Sequence, residues 1–277
     1  TQAGFSQVSF LQEPIAAAYN YERDLDHDAL LMIADFGGGT SDFSILKVGP
    51  SFRNIPPRQR SVLAVDGVGV AGDAFDARIV RHAVSPLLGM GTQYRSADKL
   101  LPIPVWLYSH LERWHLLSML KSPKNLRVLE QLCYQAVEPD RITALMHLVL
   151  DNRGFELYQA VNQAKVELSQ QQRTTLHVSA PPIDADVTIT RADFEAWIQP
   201  ELTQIADCVD RTLAQAGTEA SAIDRVFMTG GSSFVPAVRR IFEERFGAQR
   251  LVHGDEFISV AQGLACAARD ASATASQ

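Results

Sequence analysis

The chain is poor in the features that would assign it to a class at once. Only three of its 277 residues are cysteine. Cys133, Cys208 and Cys266 are far apart and have no paired histidines nearby, so neither a disulfide framework nor a zinc cluster is expected. No apolar run approaches the roughly 20 residues of a bilayer span; the best, Ala29 to Ala34, stops at Asp35. Positive charge is in the minority, Lys+Arg 25 against Asp+Glu 32 for a formal net charge of -7. Nucleic acid would therefore bind against the overall potential. The chain opens on Thr1 without Met, basic n-region or apolar h-region, so either it was cut here or residues upstream are missing. These absences point away from membrane, secreted and nucleic-acid-binding classes and toward the cytoplasm. What is present, 46% hydrophobic residues with Gly 17 and Pro 13, is the composition of a soluble globular protein. Its length suggests roughly two domains.

Along the chain, a strand-like run at 8–11 leads to Glu13-Pro14 and the alanines behind them, a helix start with proline at its first position. Leu30 to Ala34 reads as a buried strand, Gly37-Gly38-Gly39 as a tight turn and Asp42 to Val48 as a second strand; Ser61 to Val65 is a third. From about Arg78 to Gln172 the pattern is helical and strand-poor. Thr174 to Ser179 and Val187 to Thr190 are short strands, and one long amphipathic stretch covers roughly Arg191 to Ala216. Arg225 to Thr229 is another buried strand, followed by the turn Gly230-Gly231-Ser232-Ser233 and a helix opened by Pro236 and closed by Gly247. Strand-rich ends flanking a helical middle predict an α/β core subdomain, 1–70 with 190–277, and an inserted helical subdomain with a short strand region at 71–189.

Three consecutive glycines remove every Cβ, so the backbone at 37–39 can approach a ligand and aim successive N–H groups at an anion, which suits phosphates. Thr40 adds a hydroxyl. Asp35, at the end of a buried strand, sits where a carboxylate holds waters of a Mg²⁺ ion or orients an attacking water. The same stretch also reads as a hairpin turn capped by Asp, although three glycines exceed what a two-residue turn needs. Gly230 to Ser233 repeats the pattern of strand, small-residue turn and helix N-terminus; its alternative is an ordinary strand-to-helix loop. Asn162, Lys165 and Ser169 share one face of a predicted helix, fit either to read ribose and base edges or to form a solvated stripe. Glu13 either joins this chemistry or only caps its helix.

Five stretches in order resemble the motifs of the heat-shock chaperone ATPases, the DnaK-like family, and the departures from that family given below resemble its short YegD-type branch. They are Phe10 to Ala18, Asp35 to Asp42, Ala71 to Asp76, Ala164 to Ser169 and Gly230 to Pro236. The resemblance runs from residue 3 to about 268. It implies an actin-like, ribonuclease H-like α/β ATPase lobe carrying the mainly helical insert, with ATP or ADP and Mg as cofactors. On that reading Gly37, Gly38, Gly39 and Thr40 bind the β- and γ-phosphates, and Asp35 holds Mg through water near the hydrolytic water. Glu13 sits near the metal and the coupling of the lobes. Lys165 and Ser169 face ribose and adenine, Gly230, Gly231 and Ser232 the nucleoside and α-phosphate, and Asp255 is a further adenosine contact.

The chain also departs from the family. Val166 and Phe234 stand where many members place arginines that sandwich adenine, removing the cation–π contribution. Asn162 replaces a ribose-binding glutamate, Ala71 replaces a glycine, and the stretch from Asp76 to Asn162 is longer than usual. No peptide-binding domain follows, and neither an Asp-x-Gly-Thr loop nor a first-lobe lysine is visible. The expectation is the second lobe of a cytoplasmic, stress-response chaperone ATPase whose first lobe is missing. Its parent would couple slow hydrolysis to lobe closure before a client or co-chaperone, while the isolated fragment is inactive. The alternative is a degenerate actin-like lobe serving as a protein-interaction module; a filament protein of the bacterial actin type is a third option.

Overall fold

The computed structural model describes residues 4, 8, 10–22, 25–53, 55, 62–253 and 259–274. These fall into two units, 1–72 with 202–277, and 73–201.

The first unit is built on a five-stranded mixed sheet of order β3-β2-β1-β8-β9. Its strands are β1 (Ala29–Phe36), β2 (Ser41–Val48), β3 (Val62–Val68), β8 (Arg225–Thr229) and β9 (Leu251–His253). β1 pairs antiparallel with β2 and parallel with β8, and is buried along most of its length. That is why its sequence is a continuous apolar run rather than an alternation. One face of the sheet packs on α1 (Glu13–Glu22): Ala17 and Ala18 meet Leu31, Ile33, Leu46 and Phe227. The other face receives α9 (Pro236–Phe246), whose Phe242 stands edge-on to Phe36 at 5.9 Å and tilted to Phe43 at 6.1 Å. A bidentate ion pair from Arg245 to Asp210 ties α9 to the helix α8 (Gln199–Gln215). α10 (Ser259–Thr274) packs along α1, where Gly263 lies so near Ala16 that an added Cβ would fall 1.7 Å from its carbonyl oxygen.

The second unit is mainly helical. Its helices are α2 (Gly72–Ile79), α3 (Trp106–Leu111), α4 (Pro123–Gln135), α5 (Pro139–Leu150), α6 (Gly154–Gln170) and α7 (Arg191–Trp197). α4 and α5 both open on proline, and Ser122 caps α4 by accepting from the Asn125 N–H. Phe75 meets Phe194 edge-on at 6.3 Å in the core. Tyr108 is fully buried and donates to the Leu88 carbonyl at 3.0 Å; burial pushes its phenol well above the ordinary range. A long hairpin, β6 (Arg173–Ala180) with β7 (Ile183–Thr190), turns through Pro181-Pro182.

Several elements differ from the sequence reading. A second hairpin, β4 (Gln93–Ser96) with β5 (Lys99–Pro102), lies in the stretch read as strand-poor. It turns through Ala97 at a φ of 51°, without the glycine that marks such turns. The strand expected at 8–11 is absent at 8, 10 and 11, while residue 9 lies outside the described residues. The stretch from Arg191 is two helices, because Thr190 and Asp193 form a capping box for α7 and Pro200 requires a fresh helix start. The second unit runs to residue 201, and within it α7 lends Phe194 to the core around Phe75.

Phe242→Ala is expected to destabilise the chain by about 3–5 kcal/mol, read as a lower urea midpoint with an unchanged slope, because its ring fills the space between Phe36 and Phe43.

Candidate functional site

The antiparallel register of β1 and β2 places Asp35 directly across from Asp42, and Phe36 across from Ser41. Residues 37–40 form the loop between them, closed by the Gly37 N–H donating to the Thr40 carbonyl at 2.9 Å. On the other side of β1 the parallel register sets Thr229 beside Asp35, and the Thr229 hydroxyl donates to Asp35 Oδ1 at 2.6 Å. The Thr40 hydroxyl donates to Asp42 Oδ2 at 2.8 Å. Each carboxylate thus has one oxygen held by a threonine.

Glu13 and Pro14 from the start of α1 join Asp35, Asp42, Ser44 and Thr229 around a cavity of about 60 Å³. That is room for a few waters, not for a nucleotide. Like charges directly opposite on adjacent strands repel, so this pair is best satisfied by a cation. Among the described residues no three His, Cys, Asp or Glu side chains converge closely enough to hold a metal ion by themselves. The donor set therefore fits Mg²⁺ held through water, the form in which that ion is usually bound.

The exposed loop carries a second signal. Neither Gly37 nor Gly39 has a left-handed φ, and a Cβ at Gly39 would meet nothing within 4 Å. Neither a left-handed backbone nor crowding accounts for glycine at these two positions. Gly230 is the opposite case. Its φ is +83°, and a Cβ there would fall 2.0 Å from the Phe36 carbonyl oxygen. Gly230 therefore closes the end of β8 onto the end of β1, beside the Gly37 loop. Gly231 is exposed with open space around it, Ser232 is buried, and Phe234 is 57% exposed. The turn at 231–234 leads into α9, whose N-cap residue Val235 offers no side-chain hydrogen bond.

Lys165 and Ser169 belong to α6 in the second unit. Lys165 Nζ lies 2.9 Å from both carboxylate oxygens of Asp76, in a pair whose side chains are only 12% and 9% exposed. Burial raises the Asp76 carboxyl above its ordinary range, outweighing the pull of the Lys165 ammonium. The Ser169 hydroxyl donates to the Lys165 carbonyl at 3.1 Å, and Val166 is exposed. Asp255 lies outside the described residues.

The structure thus gathers Glu13, Asp35, Thr40 and the turn at 230 around one end of the sheet. Sequence reasoning did not single out Asp42 and Thr229, which complete the cavity. Asp42 was present in the quoted motif, but only the register shows that it faces Asp35.

The family model described as Hsp70 protein matches residues 149–274. Two relatives named chaperone protein DnaK, from two strains of Thermus thermophilus, are each 25% identical over 272 residues, 95% of this chain. The alignment covers 35% of each relative, so the chain spans about a third of their length. The mixed α/β architecture with its mixed sheet is consistent with an actin-like lobe. The chain is thus similar to DnaK-like proteins of the Hsp70 family.

Two substitutions probe this geometry. Gly230→Ala is expected to cost about 1–3 kcal/mol of unfolding free energy, since it forces both φ and the contact with Phe36. Lys165→Met leaves the Asp76 carboxylate buried without its cation and is expected to cost about 3–5 kcal/mol, with part regained in the double variant Lys165→Met/Asp76→Asn. Because the folded Asp76 carboxyl titrates above its unfolded value, its share of stability falls as pH rises through that interval. Asp76→Asn should remove that slope from chemical denaturation curves recorded across acidic pH.

Proposed function

We propose that this chain is a nucleotide-binding lobe of a chaperone ATPase, taking ATP or ADP with Mg²⁺. The observation that carries the reading is the facing pair Asp35 and Asp42 beside a loop whose glycines the backbone does not need. In this reading the loop Gly37 to Thr40 holds the phosphates, the Gly37 N–H closing it on the Thr40 carbonyl and the N–H groups of Gly38 and Gly39 donating to phosphate oxygens, and Asp35, Asp42 and Glu13 hold the hydrated cation. The cation neutralises charge on the phosphate oxygens when bound. Thr229 and Thr40 keep the two aspartates oriented. Thr40 is then a positioning residue for Asp42 as well as a phosphate neighbour. Gly231 and Ser232 lie toward the nucleoside, with Phe234 offering an apolar face to the base, and Lys165 and Ser169 supply ribose and base contacts from α6. A further adenosine contact from Asp255 belongs to the same proposal.

Hydrolysis needs charge stabilisation around the whole γ-phosphate, and the chain shows neither an Asp-x-Gly-Thr loop nor the first-lobe lysine. By itself it therefore binds nucleotide weakly and does not turn it over. In the parent, closure of two lobes around nucleotide signals to a client or co-chaperone in the cytoplasm. A second reading, an interaction module without ATPase activity, is favoured by the exposed Trp114, Tyr134 and Phe155 of the second unit.

Backbone amide spectra decide between them. Millimolar ATP with Mg²⁺ is expected to shift the Gly37 to Gly39 signals in this chain, and Asp35→Asn with Asp42→Asn to weaken the Mg²⁺ dependence by about tenfold or more. No shift at millimolar nucleotide, or shifts indifferent to Mg²⁺ and to both substitutions, would overturn the reading. ATP turnover by this chain alone would overturn the divided site.

A further inference from the structure

Ser44 carries a buried hydroxyl for which the fold supplies no partner. Strand β2 turns Asp42, Ser44 and Leu46 to one face, the face whose Leu46 packs with Ala17 and Ala18 of α1. The register sets Ser44 between Ile33 of β1 and Val65 of β3, with Phe227 of β8 on the far side of Ile33. Ser44 therefore stands one step inside the carboxylate pair, in a row whose other members are apolar. It is only 3% exposed, and among the described residues its hydroxyl has no hydrogen-bond partner. Other buried hydroxyls close by are satisfied within the chain: Ser41 donates to the Val70 carbonyl at 2.6 Å and Thr229 to Asp35. An alanine at 44 would occupy the same place without desolvating a polar group.

The hydroxyl is not sealed off. Ser44 lines the cavity of about 60 Å³ with Glu13, Asp35, Asp42 and Thr229, in contrast to Ser85, whose unpartnered hydroxyl is shut away from solvent. A water in such a cavity needs about two to four polar partners. The carboxylates can only accept, and the Thr229 hydroxyl already donates to Asp35. Ser44 thus adds an uncommitted hydroxyl at the inner, apolar end, where Ala17 and Ile33 complete the lining. Water bound to a small divalent cation turns its protons outward and is held by acceptors, and Mg²⁺ is the cation that keeps most of its waters.

We infer that Ser44 is a positioning residue for the hydrated cation: its hydroxyl oxygen accepts from a water of the hydration shell at the inner end of the cavity, while Asp35 and Asp42 accept from waters one step nearer the loop. The identity of the cation rests on the nucleotide reading given above; the site is defined by the lining of the cavity and so is open to Mg²⁺ without nucleotide.

The test titrates Mg²⁺ alone into the full chain and follows the backbone amide signals of Asp35, Asp42 and Thr229. Ser44→Ala is expected to weaken the Mg²⁺ response by about threefold or more, with a urea midpoint in Mg²⁺-free buffer equal to or above that of the parent chain. The exposed Asp184 and Asp186 of the second unit report general attraction of cations to an acidic chain and should respond alike in both proteins. A Mg²⁺ response that Ser44→Ala leaves unchanged would overturn the role. A lower urea midpoint without Mg²⁺ would also overturn it, by making the hydroxyl part of the fold. So would a parent response that sodium chloride at equal ionic strength reproduces, which would reduce it to screening. Adding millimolar ATP separates the two readings: a Mg²⁺ response that depends on Ser44, beside Gly37 to Gly39 signals indifferent to ATP, would overturn the nucleotide reading and support the cation site.

Discussion

Strand β1 has an antiparallel neighbour on one side and a parallel neighbour on the other, and the candidate site follows from that arrangement. The antiparallel register brings Asp42 across from Asp35; the parallel register brings Thr229 to the same residue from the other side. Two threonine hydroxyls then hold one oxygen of each carboxylate. A one-residue slip in either register would turn these groups to the opposite face of the sheet. The register is secured by burial: Phe36 and Phe43 both pack on Phe242, so a slip would also expose a large part of the core. The facing of the two aspartates is therefore held in place by the aromatic cluster behind them.

The glycines divide according to the same physics. Gly230 is needed by the protein itself, since its backbone is left-handed and the Phe36 carbonyl occupies the space a side chain would need. Gly37 and Gly39 meet neither condition. In the sequence the two turns look like repeats of one device. In the structure one joins two strand ends, while neither backbone geometry nor crowding accounts for the glycines of the other.

The second unit relates charge to burial differently. Lys165 and Asp76 are nearly buried together, and burial outweighs the ammonium in setting the carboxyl upward. Such a pair specifies the orientation of α6 more than it adds stability.

The helix opened by Pro14, the buried strands at 30–34 and 225–229, and the glycine loop beside Asp35 were legible in the sequence because each depends on local composition: proline at a helix start, an unbroken apolar run, consecutive residues without Cβ. The β4–β5 hairpin was not legible, since Ala97 takes a left-handed turn without the usual glycine. The break at Ile198 was hidden by an apolar period that continues through it. Asp42 and Thr229 appeared as ordinary strand residues, and Lys165 as one polar position of a stripe. By itself, then, the sequence determined the family motifs and the elements that carry them. Only the tertiary structure decided which residues face one another across the sheet, which glycine is structural, and that Lys165 is bound to Asp76. These depend on strand register and on the packing of segments distant in the chain, which no local pattern of residues encodes.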